Sequence, residues 1–344
     1  MIYLKNIVVL SGDGIGNEIM KSGLDVLEKV SKKISFNYNI THCDFGGIAI
    51  EKHGVPLPQD TLEAAKKSDA ILLSAIGDPK YNGAVIRPEQ GLLDIRKKLH
   101  LFVNVRPLTI YPTLANRSPI KNVDNVDFVV IRELTGGIYF GKHELKSRYA
   151  IDESKYTSFE IERVIRFAFE TAKKRRCHVT SVDKENVLST SKLWRSIADK
   201  VSKDYPEVEL VHQLVDSMAM LLITDPKRFD VIVTENLFGD ILSDEASAIA
   251  GSLGVMASSS HGLGTSIYEP IHGSAPDIAG KGVANPIGMI VSIAMMLRDS
   301  FREEKGSEII ENAIIETLKE KIFTPDLGGT AKTVDITKSI ISKI

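Results

Sequence analysis

The chain has 344 residues, with 43 Lys and Arg against 45 Asp and Glu, a net charge of −2 at pH 7, 43% hydrophobic and 26% charged residues. This composition is that of a globular protein long enough for two domains or one large α/β unit, and it excludes a chain-wide basic field for nucleic acid or an anionic membrane surface. Two cysteines, Cys43 and Cys177, are too few for a disulfide framework or a cysteine-rich zinc site.

The first apolar run, Ile7 to Leu10, predicts a buried strand with no signal-peptide stretch before it. Gly12-Asp13-Gly14-Ile15-Gly16 follows, then a helix whose Ile19, Gly23, Val26, Leu27 and Val30 share a face. The glycines stand where a dinucleotide fingerprint would, but position 17 is Asn, and no acidic residue closes a second strand downstream. A tight strand-to-helix turn is the equal alternative. Further strands are predicted at Ala70 to Leu73, Phe128 to Ile131, Val179 to Val182, Val208 to Val211 and Phe229 to Val233. Between them, Thr157 and Glu160 form a capping box for a helix over about Ser158 to Arg176, closed by Lys173-Lys174-Arg175-Arg176. Alternation of this kind predicts an α/β fold with a largely parallel sheet. The Gly- and Pro-rich stretches 76–91, 251–264 and 270–288 read as long loops. The apolar run Ile287 to Leu297 is too short to span a bilayer, and its Met289, Met295 and Met296 read as core. Cytoplasmic residence is the default expectation.

Several side chains carry possible chemistry. Asn236-Leu237-Phe238-Gly239-Asp240-Ile241-Leu242-Ser243-Asp244 opens a helix after a strand, placing Asp240 and Asp244 one turn apart. The pair suits a hard divalent cation or a solvated acidic helix start. Arg132 ends a buried strand, which suggests a bidentate anionic ligand or an ion pair with Glu133 or a similar partner. Tyr139 is a phenolic proton donor or a half-buried aromatic in a glycine-rich turn. Lys184, just past a strand, is a base if its pKa is depressed, or a solvated cation. In the loop from Glu269 to Gly282, Asp277 offers an acceptor to ribose hydroxyls and His272 a partner for a base; a plain surface loop is the alternative.

Four segments, Arg132 to Gly141, Ser181 to Val187, Asn236 to Asp244 and His272 to Gly280, occur in the order found in the β-decarboxylating dehydrogenases of isocitrate, isopropylmalate, homoisocitrate and tartrate. The chain resembles that family from Gly12 to Asp326-Leu327-Gly328-Gly329. The resemblance implies a two-domain fold with a central mixed, largely parallel sheet, not a classical Rossmann fold. Residues 1–98 with 252–344 would form a discontinuous cofactor-binding domain, and 99–251 the substrate, metal and dimerisation domain. It also implies a homodimer with the site in the cleft, each site drawing residues from both subunits.

By the same resemblance, Arg96, Arg106 and Arg132 hold the two carboxylates of a malate core. Asp240 and Asp244 bind Mg²⁺ or Mn²⁺ together with Asp216 of the neighbouring subunit, which also reaches the substrate. Lys184, again from the neighbour, is the base as hydride passes to NAD⁺, and Tyr139 protonates the carbon after CO₂ leaves. Leu92 and Leu93 match the positions that face an isopropyl group, where isocitrate enzymes place a serine. An apolar wall there leaves an extra carboxylate desolvated and unpaired, so an alkylmalate is expected, and with it a step of leucine biosynthesis. Homoisocitrate, tartrate or another alkylmalate is the alternative substrate. A non-catalytic regulatory subunit is a further alternative, opposed by the retention of Lys184, Tyr139, Asp216, Asp240 and Asp244. Glu89 matches a position near the nicotinamide. Asp277-Ile278 matches the NAD form, NADP-using relatives having Lys-Tyr, with His272, Gly273, Ser274, Ala275 and Asn285 completing the adenosine side. Two stretches depart from the family pattern, Gly77-Asp78-Pro79-Lys80-Tyr81 and Ala257-Ser258-Ser259-Ser260-His261, and neither carries a residue assigned to chemistry.

Overall fold

The computed structural model describes residues 4–121 and 123–344. It divides into two compact units, one of residues 1–100 with 252–344 and one of residues 101–251. The first stretch of unit 1 runs β1 (Lys5–Gly12), α1 (Gly16–Ile34), β2 (Tyr38–His42), α2 (Gly47–His53), α3 (Gln59–Lys67), β3 (Ala70–Ala75) and α4 (Pro88–Lys98). Unit 2 follows with β4 (Val103–Thr109), β5 (Asp127–Glu133), β6 (His143–Leu145), β7 (Ala150–Asp152), α5 (Ser158–Lys173), β8 (His178–Asp183), α6 (Ser189–Ser202), β9 (Glu209–Leu214), α7 (Val215–Thr224), β10 (Val231–Thr234) and α8 (Asn236–Ile249). The chain then returns to unit 1 with β11 (Ala257–His261), β12 (Ser266–Pro270), α9 (Ile287–Asp299), α10 (Glu304–Lys319) and α11 (Thr333–Lys343).

In unit 1 the strand order is β2-β1-β3-β12-β11. β1 runs parallel to β2 and β3, β3 parallel to β12, and β11 antiparallel to β12. β3 is buried along its whole length, which explains an apolar run without alternation, as for a parallel strand buried on both faces. α1 turns Ile19, Gly23, Val26, Leu27 and Val30 inward, and Gly23 is small because Ile293 of α9 would stand 2.7 Å from a Cβ there. α9 is buried nearly all round, including all three of its methionines. In unit 2 the order is β4-β5-β10-β8-β9, with only β4 antiparallel to its neighbour. Ile161, Val164, Ile165, Ala168 and Ala172 of α5 pack on that sheet with Trp194, Val201, Val231 and Val233. The sheets are therefore mixed and largely parallel. Among the described residues no helix is long and apolar enough to cross a membrane.

Three features differ from the sequence reading. The stretch 251–264 is not a loop throughout, because Ala257–His261 pairs with Ser266–Pro270 as a hairpin. Within it the buried Ser259 has a polar partner, His261, whose ring bridges the hydroxyls of Ser259 at 2.7 Å and of Ser266 on the next strand at 2.9 Å. α5 stops at Lys173, and two of the basic residues beyond it do more than end a helix. Arg175 Nε donates to Asp230 Oδ1 at 2.8 Å, and the Arg176 backbone N–H donates to Asp230 Oδ2 at 2.9 Å. β2 is a strand that the sequence reading lacked; it ends at His42, so no acidic residue closes it, and Asp44 beyond it is held by Lys52 and His53.

Candidate active site

α8 begins directly after β10, so its first turns lie at the carboxyl end of the unit 2 sheet, where open α/β sheets offer side chains to ligands. Asp240 and Asp244 project from it one turn apart. Arg132, the penultimate residue of β5, is buried, and its guanidinium donates to the Asp240 carboxylate. Gly239 makes this crossing possible, because a Cβ there would lie 2.7 Å from the Arg132 side chain. Arg132 therefore pairs with Asp240 and not with its neighbour Glu133, whose carboxylate accepts the backbone N–H groups of Thr135 and Gly136.

Arg106 of β4 reaches the same face. Its Nη1 donates to Ser243 Oγ at 2.5 Å and to Asp244 Oδ1 at 3.2 Å, and its Nη2 lies 3.6 Å from Asp240. Asn104 aims it by accepting from Nε at 2.8 Å. Tyr139, on a short 3₁₀ turn (Gly137–Tyr139), donates its hydroxyl to Asp240 Oδ2 at 2.6 Å, with the Arg132 guanidinium 5.5 Å from its ring centre. Burial raises the Asp240 pKa, but Arg132, Tyr139 and Arg106 outweigh it and hold the carboxyl below its ordinary range. Burial and then Asp240 push the Tyr139 phenol up, so it remains protonated at neutral pH. The result is an ionised carboxylate beside two guanidiniums and a neutral phenol.

Asp216 and Lys184 form a separate pair within unit 2, Lys184 Nζ donating to Asp216 Oδ1 at 2.6 Å. Lys184 follows β8 and Asp216 opens α7. Among the described residues no three His, Cys, Asp or Glu side chains converge as a metal cluster, so Asp216 is not assembled with Asp240 and Asp244 inside one chain. The donors that Asp240 and Asp244 offer are nonetheless of the right kind for a hard divalent cation: carboxylate oxygens one turn apart, one held ionised by its surroundings.

Unit 1 carries the other predicted residues. Arg96 lies near the end of α4 in an ion pair with Glu269 at 2.7 Å. Leu92 and Leu93 precede it on the same helix, Leu93 exposed. Glu89, in the first turn, lies beside Gly77, where a Cβ would come within 3.0 Å of its carboxylate. The two glycine loops meet: Ile15 donates its backbone N–H to Ser274 O at 2.8 Å, and a Cβ on Gly14 would lie 2.0 Å from that oxygen. The first loop is thus a tight turn seated on the second. In the second loop Ser274 is buried, Gly273 and Asp277 are exposed, Ala275 has φ +38°, and Ile278 donates its N–H back to Ala275 O. His272 Nδ1 lies 3.0 Å from Gly273 O, while its Nε2 is buried without a partner. Such an orphaned nitrogen beside exposed small residues fits a heteroaromatic base carrying a complementary group. Asn285 is buried in structural bonds, to Asp326 and to the Ile287 N–H that begins α9.

Three carboxylates lie at the ends of neighbouring strands: Glu133 closes β5, Asp183 closes β8, and Glu235 follows β10. Asp183 is neutralised by Arg195 at 2.9 Å. Burial, then the charges of Asp183 and Glu133, push Glu235 up from 4.5 to about 7. A carboxyl whose folded pKa is raised contributes stability at low pH and loses it as pH climbs through that value. Between about pH 5 and pH 8 the penalty for ionising Glu235 grows to ~3 kcal/mol at ~1.4 kcal/mol per pKa unit. Glu235→Gln is therefore expected to unfold in urea with a flatter pH dependence and to exceed the parent in stability at the upper end; superimposable profiles for the two proteins would contradict this.

A model of the isocitrate/isopropylmalate dehydrogenase family matches residues 6–344. The chain is 65% identical to the 3-isopropylmalate dehydrogenase of Lactococcus lactis subsp. lactis (strain IL1403) over 98% of each chain. It is 60% identical to that of Streptococcus thermophilus (strain CNRZ 1066) over 99% of each. Among solved structures it is similar to isocitrate dehydrogenase from Methylococcus capsulatus, with a TM-score of 0.90, 33% identity and 99% coverage of both chains. A β-decarboxylating dehydrogenase from Thermococcus kodakarensis in its apo form gives a TM-score of 0.85 at 35% identity, covering 99% of this chain and 96% of that one.

Proposed function

Because the chain belongs to the isocitrate/isopropylmalate dehydrogenase family, we propose that it oxidises 3-isopropylmalate at its hydroxyl carbon and releases CO₂ from the resulting keto acid, giving 4-methyl-2-oxopentanoate in leucine biosynthesis. NAD⁺ is the hydride acceptor, Mg²⁺ or Mn²⁺ the metal, and the working form a cytoplasmic homodimer. The observation that carries the chemistry is the gathering of Arg106, Arg132 and Tyr139 on the ionised Asp240.

Arg106 and Arg132, with Arg96, bind the two carboxylates of the malate core, guanidinium forks being matched to carboxylates. Leu92 and Leu93 face the isopropyl group. Lys184 of the partner subunit takes the hydroxyl proton as hydride leaves the same carbon. Tyr139, kept neutral by its surroundings, returns a proton to the carbon that loses CO₂. When bound, the cation supplies Lewis-acid polarisation of the oxygen being oxidised, with Asp240, Asp244 and Asp216 of the partner subunit as its ligands.

The identities support the alkylmalate over isocitrate: 65% to a relative named for 3-isopropylmalate, against 33% to the solved isocitrate dehydrogenase. The deciding assay compares NADH formation from 3-isopropylmalate, isocitrate and tartrate, each with and without Mg²⁺. Metal-dependent turnover confined to 3-isopropylmalate is expected; a preference for isocitrate or tartrate would replace the substrate assignment. The coenzyme prediction rests on Asp277, whose exposed carboxylate accepts from ribose hydroxyls and repels a 2′-phosphate. kcat/KM for NAD⁺ is expected to exceed that for NADP⁺ by at least about tenfold, the scale of one unfavourable polar contact, and equal efficiency would refute the assignment.

A further inference from the structure

Asn236 is the first residue of α8 and is 2% exposed. All three of its hydrogen-bonding groups beyond the helix are engaged. The side-chain oxygen accepts from Arg132 Nε at 2.9 Å, and the side-chain amide donates to Gly136 O at 3.3 Å. The backbone N–H donates to Tyr156 Oη at 2.9 Å. Tyr156 is itself buried and lies under the turn that leads to Tyr139. A Cβ on Gly136 or on Gly137 would stand 2.5 Å from Tyr156 atoms, and Gly137 has φ +73°. Arg132 is thus fixed at one end of its guanidinium by Asn236 and at the other by Asp240. The Tyr139 turn is likewise fixed at its start by Asn236 and at its hydroxyl by Asp240.

We infer that Asn236 is a positioning residue that sets Arg132 and the Tyr139 turn in one shared geometry. The inference deepens the function proposed above and rests on it for the roles of those two residues. Only a carboxamide meets the requirement. The guanidinium needs an acceptor and the Gly136 carbonyl needs a donor, so the amide has one orientation. Aspartate keeps the acceptor and loses the donor, and alanine loses both. Serine lacks the reach to span the two partners. Asn236 itself is buried behind Arg132 and acts through it, so its removal misplaces reacting groups without deleting one.

The test separates the two arms. Asn236→Asp keeps the bond to Arg132 but sets a carboxylate against the Gly136 carbonyl. It is expected to leave KM for 3-isopropylmalate within about threefold and to lower kcat by about 10- to 100-fold, the scale of a misplaced catalytic group. Asn236→Ala frees Arg132 as well and raises KM by about tenfold in addition. In a cycle with Tyr139→Phe, the loss from Asn236→Asp shrinks once the hydroxyl is gone, because both changes disable the same group. Losses that simply multiply would overturn the inference. Hydrogen exchange on the unliganded protein supplies a readout independent of substrate. Exchange in Asn236→Asp is expected to quicken over residues 133–141 while α5 and α6 stay protected; exchange unchanged there, or raised equally across unit 2, also overturns it. A wild-type protein inactive on 3-isopropylmalate whose variant still shows the localised exchange refutes the proposed function and leaves the positioning role standing.

Discussion

Lys184→Met lowers kcat by about 10²- to 10⁴-fold, the usual worth of a positioned base, while the melting temperature moves little. The amine is held by Asp216 at 2.6 Å, and the Asp216 side chain is largely exposed. Exposed ion pairs contribute little to folding, since water screens the attraction and two long side chains lose freedom. The strand end that presents Lys184 is secured independently, by the bidentate contact of Arg195 with Asp183 and by the Ser191 hydroxyl accepting the Lys184 N–H at 3.0 Å. Methionine keeps most of the length of the stem and drops only the charge and the proton-accepting nitrogen. Steady-state turnover matching the parent would remove Lys184 from the mechanism. A collapse in melting temperature would show the pair to be structural.

Asp240→Asn is expected to abolish measurable turnover, because it removes the carboxylate on which Arg106, Arg132 and Tyr139 converge. It also leaves the nearly buried Arg132 guanidinium without its counter-charge, so some loss of stability accompanies the loss of rate. The larger effect comes from combining the two inactive proteins. If each site takes Lys184 from one protomer and Asp240 from the other, a dimer of one Lys184→Met and one Asp240→Asn chain has one intact site and one doubly defective site. Co-expressing or refolding the two at equal amounts should then restore about a quarter of the wild-type sites, as random pairing in a two-fold dimer dictates. A mixture as inactive as its components would sink the shared-site arrangement. Affinity tags of two kinds isolate the mixed dimer and bring the expected value to about half.

The strands legible in the sequence were those whose burial on both faces leaves an unbroken apolar run, as at Ile7 to Leu10, Ala70 to Leu73 and Phe128 to Ile131. β2 was hidden because Tyr38, Asn39, Thr41 and His42 surround a single isoleucine. β4 was hidden because it carries Arg106 and Pro107, a pairing that argues against a strand until the site itself explains the arginine. The hairpin at 257–270 escaped because serines read as loop, and only the folded protein supplies the histidine that bridges the hydroxyls of Ser259 and Ser266. At the site, residue types were legible and partners were not. Arg132 at a strand end announced a need for an acceptor, but Glu133 was the near candidate and Asp240, 108 positions away, is the partner. Asn236 lay inside a recognisable segment, yet its role depends on groups 100 and 104 positions distant. No local spacing encodes such distances.

The interruption of unit 1 by unit 2 also bears on how the chain is made. Unit 2 is one unbroken stretch, 101–251, whereas unit 1 is built from the stretches on either side of it, 1–100 and 252–344. When 1–100 has emerged from the ribosome, β3 still lacks β12 along one edge, and the apolar side of α1 still lacks α9, α10 and α11. Domains fold as units during synthesis, so the middle of the gene yields the first finished domain. Residues 1–100 can complete their sheet and cover α1 only after β12 and the helices that follow it have been made.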